Sequence, residues 1–231
     1  ILNRDAAGAL TFITNEFNQQ VFGELLVNAT VNWTPTPQDT VNFTGRLTPR
    51  LFTTRTGQMR FTPAGALYRV TADASTEKDI LHAELGGDWE HKFSSQSALK
   101  GILVNRSVTW RPQEFFETFN AAGARTSAST INTELKTGEH VARGVWTLKP
   151  NDAHVVEFGA EIAFNYLDQH RSVANLNLGT GLFEPQFLPL ATTRVKELRS
   201  EASINDTWRI SPALSLELGF NYEVSRLTQT G

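Results

Sequence analysis

From Leu214 to Val224 every even position is apolar (Leu214, Leu216, Leu218, Phe220, Tyr222, Val224), and the odd positions between them are small or polar (Ser215, Glu217, Gly219, Asn221, Glu223). Successive side chains of an extended strand point to opposite faces, so this period of two predicts one long strand with a greasy face and a wet face. The run ending at Trp208 alternates in the same way, and the short Arg209-Ile-Ser-Pro212 connection joins the two as a hairpin.

The same signal recurs along the chain. Leu25, Val27, Ala29, Val31 and Trp33 share one parity, and after the Pro-containing turn at 34–39 so do Val41, Phe43, Gly45 and Leu47. Residues 81–90 alternate Leu81, Ala83, Leu85, Gly87 and Trp89 with His82, Glu84, Asp88 and Glu90. Residues 154–166 set Val156, Phe158, Ala160, Ile162, Phe164 and Tyr166 against Val155, Glu157, Gly159, Glu161, Ala163 and Asn165. In 98–110 the rule fails, because Leu99 and Leu103 have one parity and Ile102, Val104 and Trp110 the other; a bulge or a misplaced boundary reconciles them. Residues 131–148 look extended. Residues 7–15 are weakly strand-like, and 15–23 are polar with no orientation.

No stretch has convincing 3.6-residue periodicity, so the chain is expected to be all-β and antiparallel. Alternation alone serves a soluble sandwich or a membrane barrel equally. Three features separate them. Several strands exceed the usual five or six residues, and about nine to eleven tilted residues cross a bilayer. Connections alternate short (34–40, 91–97, 149–152, 210–212) and long (49–78, 111–130, 169–193), with another strand or two in 59–70. Trp33, Trp89, Trp146 and Trp208 each precede a short turn, which predicts an aromatic girdle at one membrane interface. Against this, Lys196 and Asp206 share the apolar parity, although both lie near strand ends, where a charge on the lipid face costs about 0–1 kcal/mol rather than the 2–4 kcal/mol of a Lys or Arg at midplane.

Composition narrows the function. The chain has 231 residues, no cysteine, a formal net charge of −3 and a pI near 6.0. These remove thiol chemistry and disulfides, and the absence of a basic run argues against nucleic acid. No apolar run is long enough for a transmembrane helix. An N-terminal Ile and a loop-like 225–231 suggest a segment of a longer protein.

The run from Arg194 to Glu201, followed by Thr207–Ser225 and Thr228–Gly231, resembles the barrel of bacterial TonB-dependent outer-membrane receptors, as do Glu84–Glu90 and Glu157–Asn165. The resemblance covers residues 77–231, and the earlier hairpin is compatible. It implies an up-and-down transmembrane barrel of the 22-stranded type, a lumen filled by a plug domain, and uptake energised by the TonB complex. Residues 1–231 hold no plug-like region, TonB box or terminal aromatic-ended strand, so the expectation is one domain of about ten strands from a larger barrel in the bacterial outer membrane. The cargo would be a scarce nutrient such as a siderophore, cobalamin or a glycan, selected by the three long connections. A passive porin and a soluble β-sandwich carbohydrate-binding module are the alternatives.

Glu157, Glu161, Glu197, Arg199, Glu201, Glu217 and Glu223 would share the lumenal face. There they would hydrogen-bond a plug or line a ligand path, or form a solvated face of cross-strand pairs worth roughly 0.2–1 kcal/mol each. Only His82 with Glu84 has a spacing a metal could use, and two ligands make no site. No nucleophile triad, phosphate loop or dinucleotide fingerprint occurs, so no enzymatic activity, cofactor or metal is expected.

Overall fold

The computed structural model describes residues 1–231 except the side chains of residues 77–79, so the start of the segment that resembles the receptors lies outside the described residues. The fold is a single antiparallel sheet of twelve strands: β1 (Leu2–Arg4), β2 (Leu10–Glu24), β3 (Val27–Thr36), β4 (Asp39–Phe61), β5 (Leu67–Ser94), β6 (Ser97–Trp110), β7 (Gln113–Asn120), β8 (Arg125–Asn151), β9 (His154–Leu176), β10 (Phe183–Pro185), β11 (Thr192–Ser211) and β12 (Leu214–Thr230). The order β1-β2-β4-β5-β6-β8-β9-β11-β12 is a meander in which each strand lies beside its neighbour in sequence. β3 continues the track of β2 along β4, and β7 continues that of β6 along β8.

Prolines mark both breaks. Pro49 lies inside β4 opposite the gap between β2 and β3, and its carbonyl accepts a hydrogen bond from Leu25 N across 3.1 Å. Backbone N and C=O of one residue point to the same side of a strand, so the missing N–H faces the gap and costs no ladder bond. Pro112 fills the gap between β6 and β7 and accepts from Thr133 N at 3.1 Å.

Each end of the sheet has a recurrent turn. At one end, Thr36, Ser94, Asn151 and Ser211 open turns in which their side-chain oxygen accepts the N–H two residues on, from Gln38, Gln96, Ala153 and Ala213. At the other end three related pentapeptides, Asp5-Ala-Ala-Gly-Ala9, Thr62-Pro-Ala-Gly-Ala66 and Asn120-Ala-Ala-Gly-Ala124, close hairpins identically. The first residue's N bonds the fifth residue's O, its side-chain oxygen takes the fifth residue's N–H, and the glycine returns its N–H to the first residue's O. Gly65 and Gly123 sit at φ 85° and 80°, the left-handed conformation that a three-residue hairpin loop requires.

The long connections expected at 49–78 and 111–130 are therefore strands. β4 and β5 continue to a tight turn at 62–66, and β7 and β8 to one at 120–124. Only the third, 169–193, keeps irregular chain, between β9 and β11 with β10 inside it. Residues 15–23, which gave no orientation, form most of β2.

Buried residues are nearly absent: among those described they are Ala128, Ala163, Pro112, Thr14 and Thr48. The accessible surface is 15267 Å², against roughly 10,400 Å² expected by mass scaling for a compact monomer of this size. No second sheet packs on the first. Most residues are held by ladder hydrogen bonds, and the buried core that normally drives folding is nearly missing among the described residues.

Candidate functional site

The two faces of the sheet differ in character. On the first, register aligns Val27, Ala29, Val31 and Trp33 with Val41, Phe43, Gly45 and Leu47, and these with Leu81, Ala83, Leu85, Gly87 and Trp89. The face continues through Leu99, Gly101 and Leu103 to Ala142, Gly144 and Trp146, then to Phe158, Ala160, Ile162 and Phe164. It ends on Leu198, Ala202, Ile204 and Trp208 beside the even residues of β12. These side chains are open: Leu103 and Phe220 are each 65% exposed and Ile162 49%. A contiguous apolar area on this scale far exceeds the few hundred Å² that monomers leave to water.

Both margins of the apolar face are marked. At the short-turn end Trp33, Trp89, Trp146 and Trp208 all lie on it, as the sequence predicts. Two of them turn their polar edges toward the turns: Trp89 Nε1 donates to Asp39 Oδ1 at 3.0 Å and Trp146 Nε1 to Ser97 Oγ at 3.0 Å, while Trp208 stacks on His154, whose ring contacts Asp206 at 2.9 Å. Asp39 also takes bonds from Thr36 and His91, and these hydroxyl, imidazole and indole donors, Thr36 foremost, hold its carboxyl down at about 2. At the other margin Lys136, Asp168 and Arg194 stand side by side on the same face, Arg194 Nε 2.5 Å from Asp168.

The aromatic row is not level across the strands. Trp33 and Trp89 both sit opposite Val41, on the rung that continues through Gly101 and Gly144 to Ala160. Trp146 lies opposite Phe158, two residues nearer the turns, and Trp208 opposite His154, four nearer again.

The second face is polar and carries the seven charged residues that the sequence assigns to a lumenal face. Arg143, Glu161, Glu201 and Glu223 share one rung, and Arg199 Nη2 reaches Glu161 Oε1 at 3.0 Å. Glu201 accepts from Asn221 at 2.7 Å, and Glu197 from Ser225 at 2.7 Å and Asn165 at 3.1 Å. Thr147 donates to Glu157 at 3.3 Å, and Glu217 lies opposite Thr207 near the last turn. The structure thus brings Glu161, Arg199, Glu201 and Glu223 together and leaves Glu157 and Glu217 apart near the turns. A second rung, Arg46–Glu84–Arg106–Glu139, alternates in sign across four strands.

The parity conflict in 98–110 resolves without a bulge. β6 runs in unbroken register from Ser97 to Trp110 along β8, so Ile102, Val104 and Trp110 project from the polar face and Leu99 and Leu103 from the apolar one. Lys196 and Asp206 do share the apolar face. No cluster of three or more metal-ligating side chains occurs among the described residues, and His82 and Glu84 remain a pair. The polar-face arginines at 46, 50 and 106 were missed, because no apolar alternation singles out a residue on the wet face; the signal was their common parity with His82 and Glu84 once register is known.

The chain matches no family model, and no match is found among curated proteins or among solved structures.

Proposed function

We propose that the apolar face is the lipid-facing wall of a transmembrane β-barrel and that the protein works as an outer-membrane receptor and transporter of the TonB-dependent kind. The observation that carries the membrane assignment is the band between the two margins. On β9 it runs from Val156 to Tyr166, and at about 3.3 Å per residue these eleven positions extend about 36 Å along the strand.

The stagger of the tryptophans supports a particular tilt for such strands. The row slips six residues over the six strand-to-strand steps from β3 to β11. With about 3.3 Å of rise and about 4.8 Å between strands, one residue per strand brings the indoles level when the strands tilt by about 35°. Transmembrane barrels tilt by about 35–45°, and at this tilt the band is about 30 Å tall, the thickness of a bilayer's hydrocarbon. An unrelated sheet has no reason to meet both values.

Unpaired strand edges favour a larger closed wall over a free-standing sheet. Among the described residues β12 pairs only with β11 and β3 only with β4, and unpaired backbone groups are prohibitively costly in hydrocarbon. Partners on both sides fit a barrel of the 22-stranded type, with a plug domain and the TonB complex acting through other parts. Strands such as β8, 27 residues long, extend well beyond the band on the side away from the short turns, where they would present the surface that receives cargo.

Insertion is tested by adding urea-unfolded protein to phosphatidylcholine vesicles. Protease-resistant protein with strand circular dichroism and heat-modifiable electrophoretic mobility is expected, and a monodisperse soluble species without detergent or lipid would overturn the assignment. Conductance across planar bilayers distinguishes transporter types: a plugged receptor is silent, whereas a steady open conductance means a passive porin.

A further inference from the structure

On the polar face β4, β5 and β6 enclose a pocket of about 260 Å³ lined by Arg46, Thr48, Arg50, His82, Glu84 and Arg106. The lining carries three guanidiniums against one carboxylate. Arg50 is engaged by Glu24, its Nε 2.5 Å from Oε2, but Arg46 and Arg106 have no ion-pair partner among the described residues, although both flank Glu84 in register. One rung further along β4, between Arg46 and Arg50 and opposite His82, lies Thr48, 1% exposed, whose Oγ1 is buried with no hydrogen-bond partner. A buried hydroxyl without a partner is a cost the sequence avoids unless something else fills the bond.

We propose that this pocket binds an oxyanion, a single phosphate- or carboxylate-sized group of a solute, held by the forks of Arg46 and Arg106 and by the Thr48 hydroxyl as donor. Arginine suits the task because its planar fork meets two oxygens of one anion at once. The volume is below the roughly 300–1,000 Å³ of pockets that enclose whole small molecules, so the site takes one ionic group and leaves the rest of a ligand outside. The exposed heads of Arg46 and Arg106 give that group an open approach. The proposal stands on the pocket itself and not on the membrane assignment.

The probe is inorganic phosphate, with sodium acetate in a parallel arm, titrated calorimetrically into the full protein in detergent micelles at low ionic strength. Saturable binding of phosphate alone identifies a phosphoryl-bearing ligand, binding of acetate alone a carboxylate-bearing one, and binding of both a general oxyanion site. Arg46→Gln and Arg106→Gln are each expected to weaken binding about tenfold or more, the loss of one charged hydrogen bond. Arg106→Lys should retain part of the affinity, and Thr48→Val, which keeps the shape, should weaken it several-fold. Arg143→Gln, on the same face outside this pocket, controls for general charge and should leave binding unchanged. Circular dichroism of each variant separates loss of binding from loss of fold. No saturable binding of either anion, or equal affinity in folded Arg46→Gln and Arg106→Gln, would overturn the proposal.

Discussion

Trp89 and Asp39 meet across the β4–β5 ladder, the indole Nε1–H donating to the carboxylate at 3.0 Å on the turn side of the ring. The hydrogen bond points the polar edge of the indole away from the apolar face and leaves its hydrocarbon body on it, the division that Trp makes at a membrane interface. Trp146 and Ser97 repeat the arrangement one hairpin further on.

This orientation predicts depth. Single-tryptophan variants retaining Trp33, Trp89, Trp146 or Trp208 in vesicles should be quenched by brominated acyl chains at one common shallow depth. Trp110, which projects from the opposite face, should be insensitive to the same lipids. Equal quenching of all five would contradict the two-faced assignment.

Asp39 gives a pH dependence. Its carboxyl is held near 2 by Thr36, His91 and Trp89, below the ordinary 3.8, so its contribution to the turn is fully present above the ordinary value and is lost as pH falls through about 2. Trp89 fluorescence in a variant retaining only that tryptophan should titrate with a midpoint near pH 2, and Asp39→Asn should abolish the transition. A midpoint near 3.8 would show that the three hydrogen bonds do not form.

The apolar face is expected to reject charge according to depth. Ile162→Arg, at mid-band on β9, should lower stability in lipid vesicles by about 2–4 kcal/mol, measured by urea unfolding. Asn221→Arg, on the polar face beside Glu201, should cost less than about 1 kcal/mol. Equal penalties at the two sites would mean that neither face meets lipid.

Glycines on that face are not equivalent. The Tyr166 ring lies over Gly138 in the space a Cβ would occupy, whereas nothing lies within 4 Å of a Cβ at Gly144. An aromatic ring that covers a strand glycine shields its backbone and pins register. Gly138→Val should therefore displace the ring and cost about 1–3 kcal/mol, and Gly144→Ala should be close to neutral in the same unfolding assay.

Much of this architecture was legible in the sequence. Alternation at 25–47, 81–89, 154–166 and 201–224 placed each side chain on its face because only one face is apolar there, and the four tryptophans marked the turns. Reach was harder to read. The stretches from 49 and from 111 read as long connections, yet Pro49 stands where its missing N–H meets a break in the neighbouring track, so β4 runs straight through, and Pro112 stands in the short break after which β6 resumes as β7 beside an unbroken β8. The polar face of β6 accepts Ile102 and Val104, which removed the contrast that alternation needs. The charged residues shared a parity in the sequence, but which of them meet depends on register across β9, β11 and β12. That register brings Glu161 to Arg199 and leaves Glu217 beside Thr207. The pentapeptide repeat at 5–9, 62–66 and 120–124 is a sequence signal for these turns that the reading of long connections left unused.

The sign-alternating rung Arg46–Glu84–Arg106–Glu139 bears on how the strands find their partners. Sliding one strand past another by two residues keeps every greasy side chain on the greasy face, so apolar patterning is blind to that error. The charges are not blind to it: moved by two, Arg106 meets His82 or Gly86 instead of Glu84. On these four strands the wet face thus distinguishes the observed register from one slipped by two, as a vernier would, where the greasy face does not.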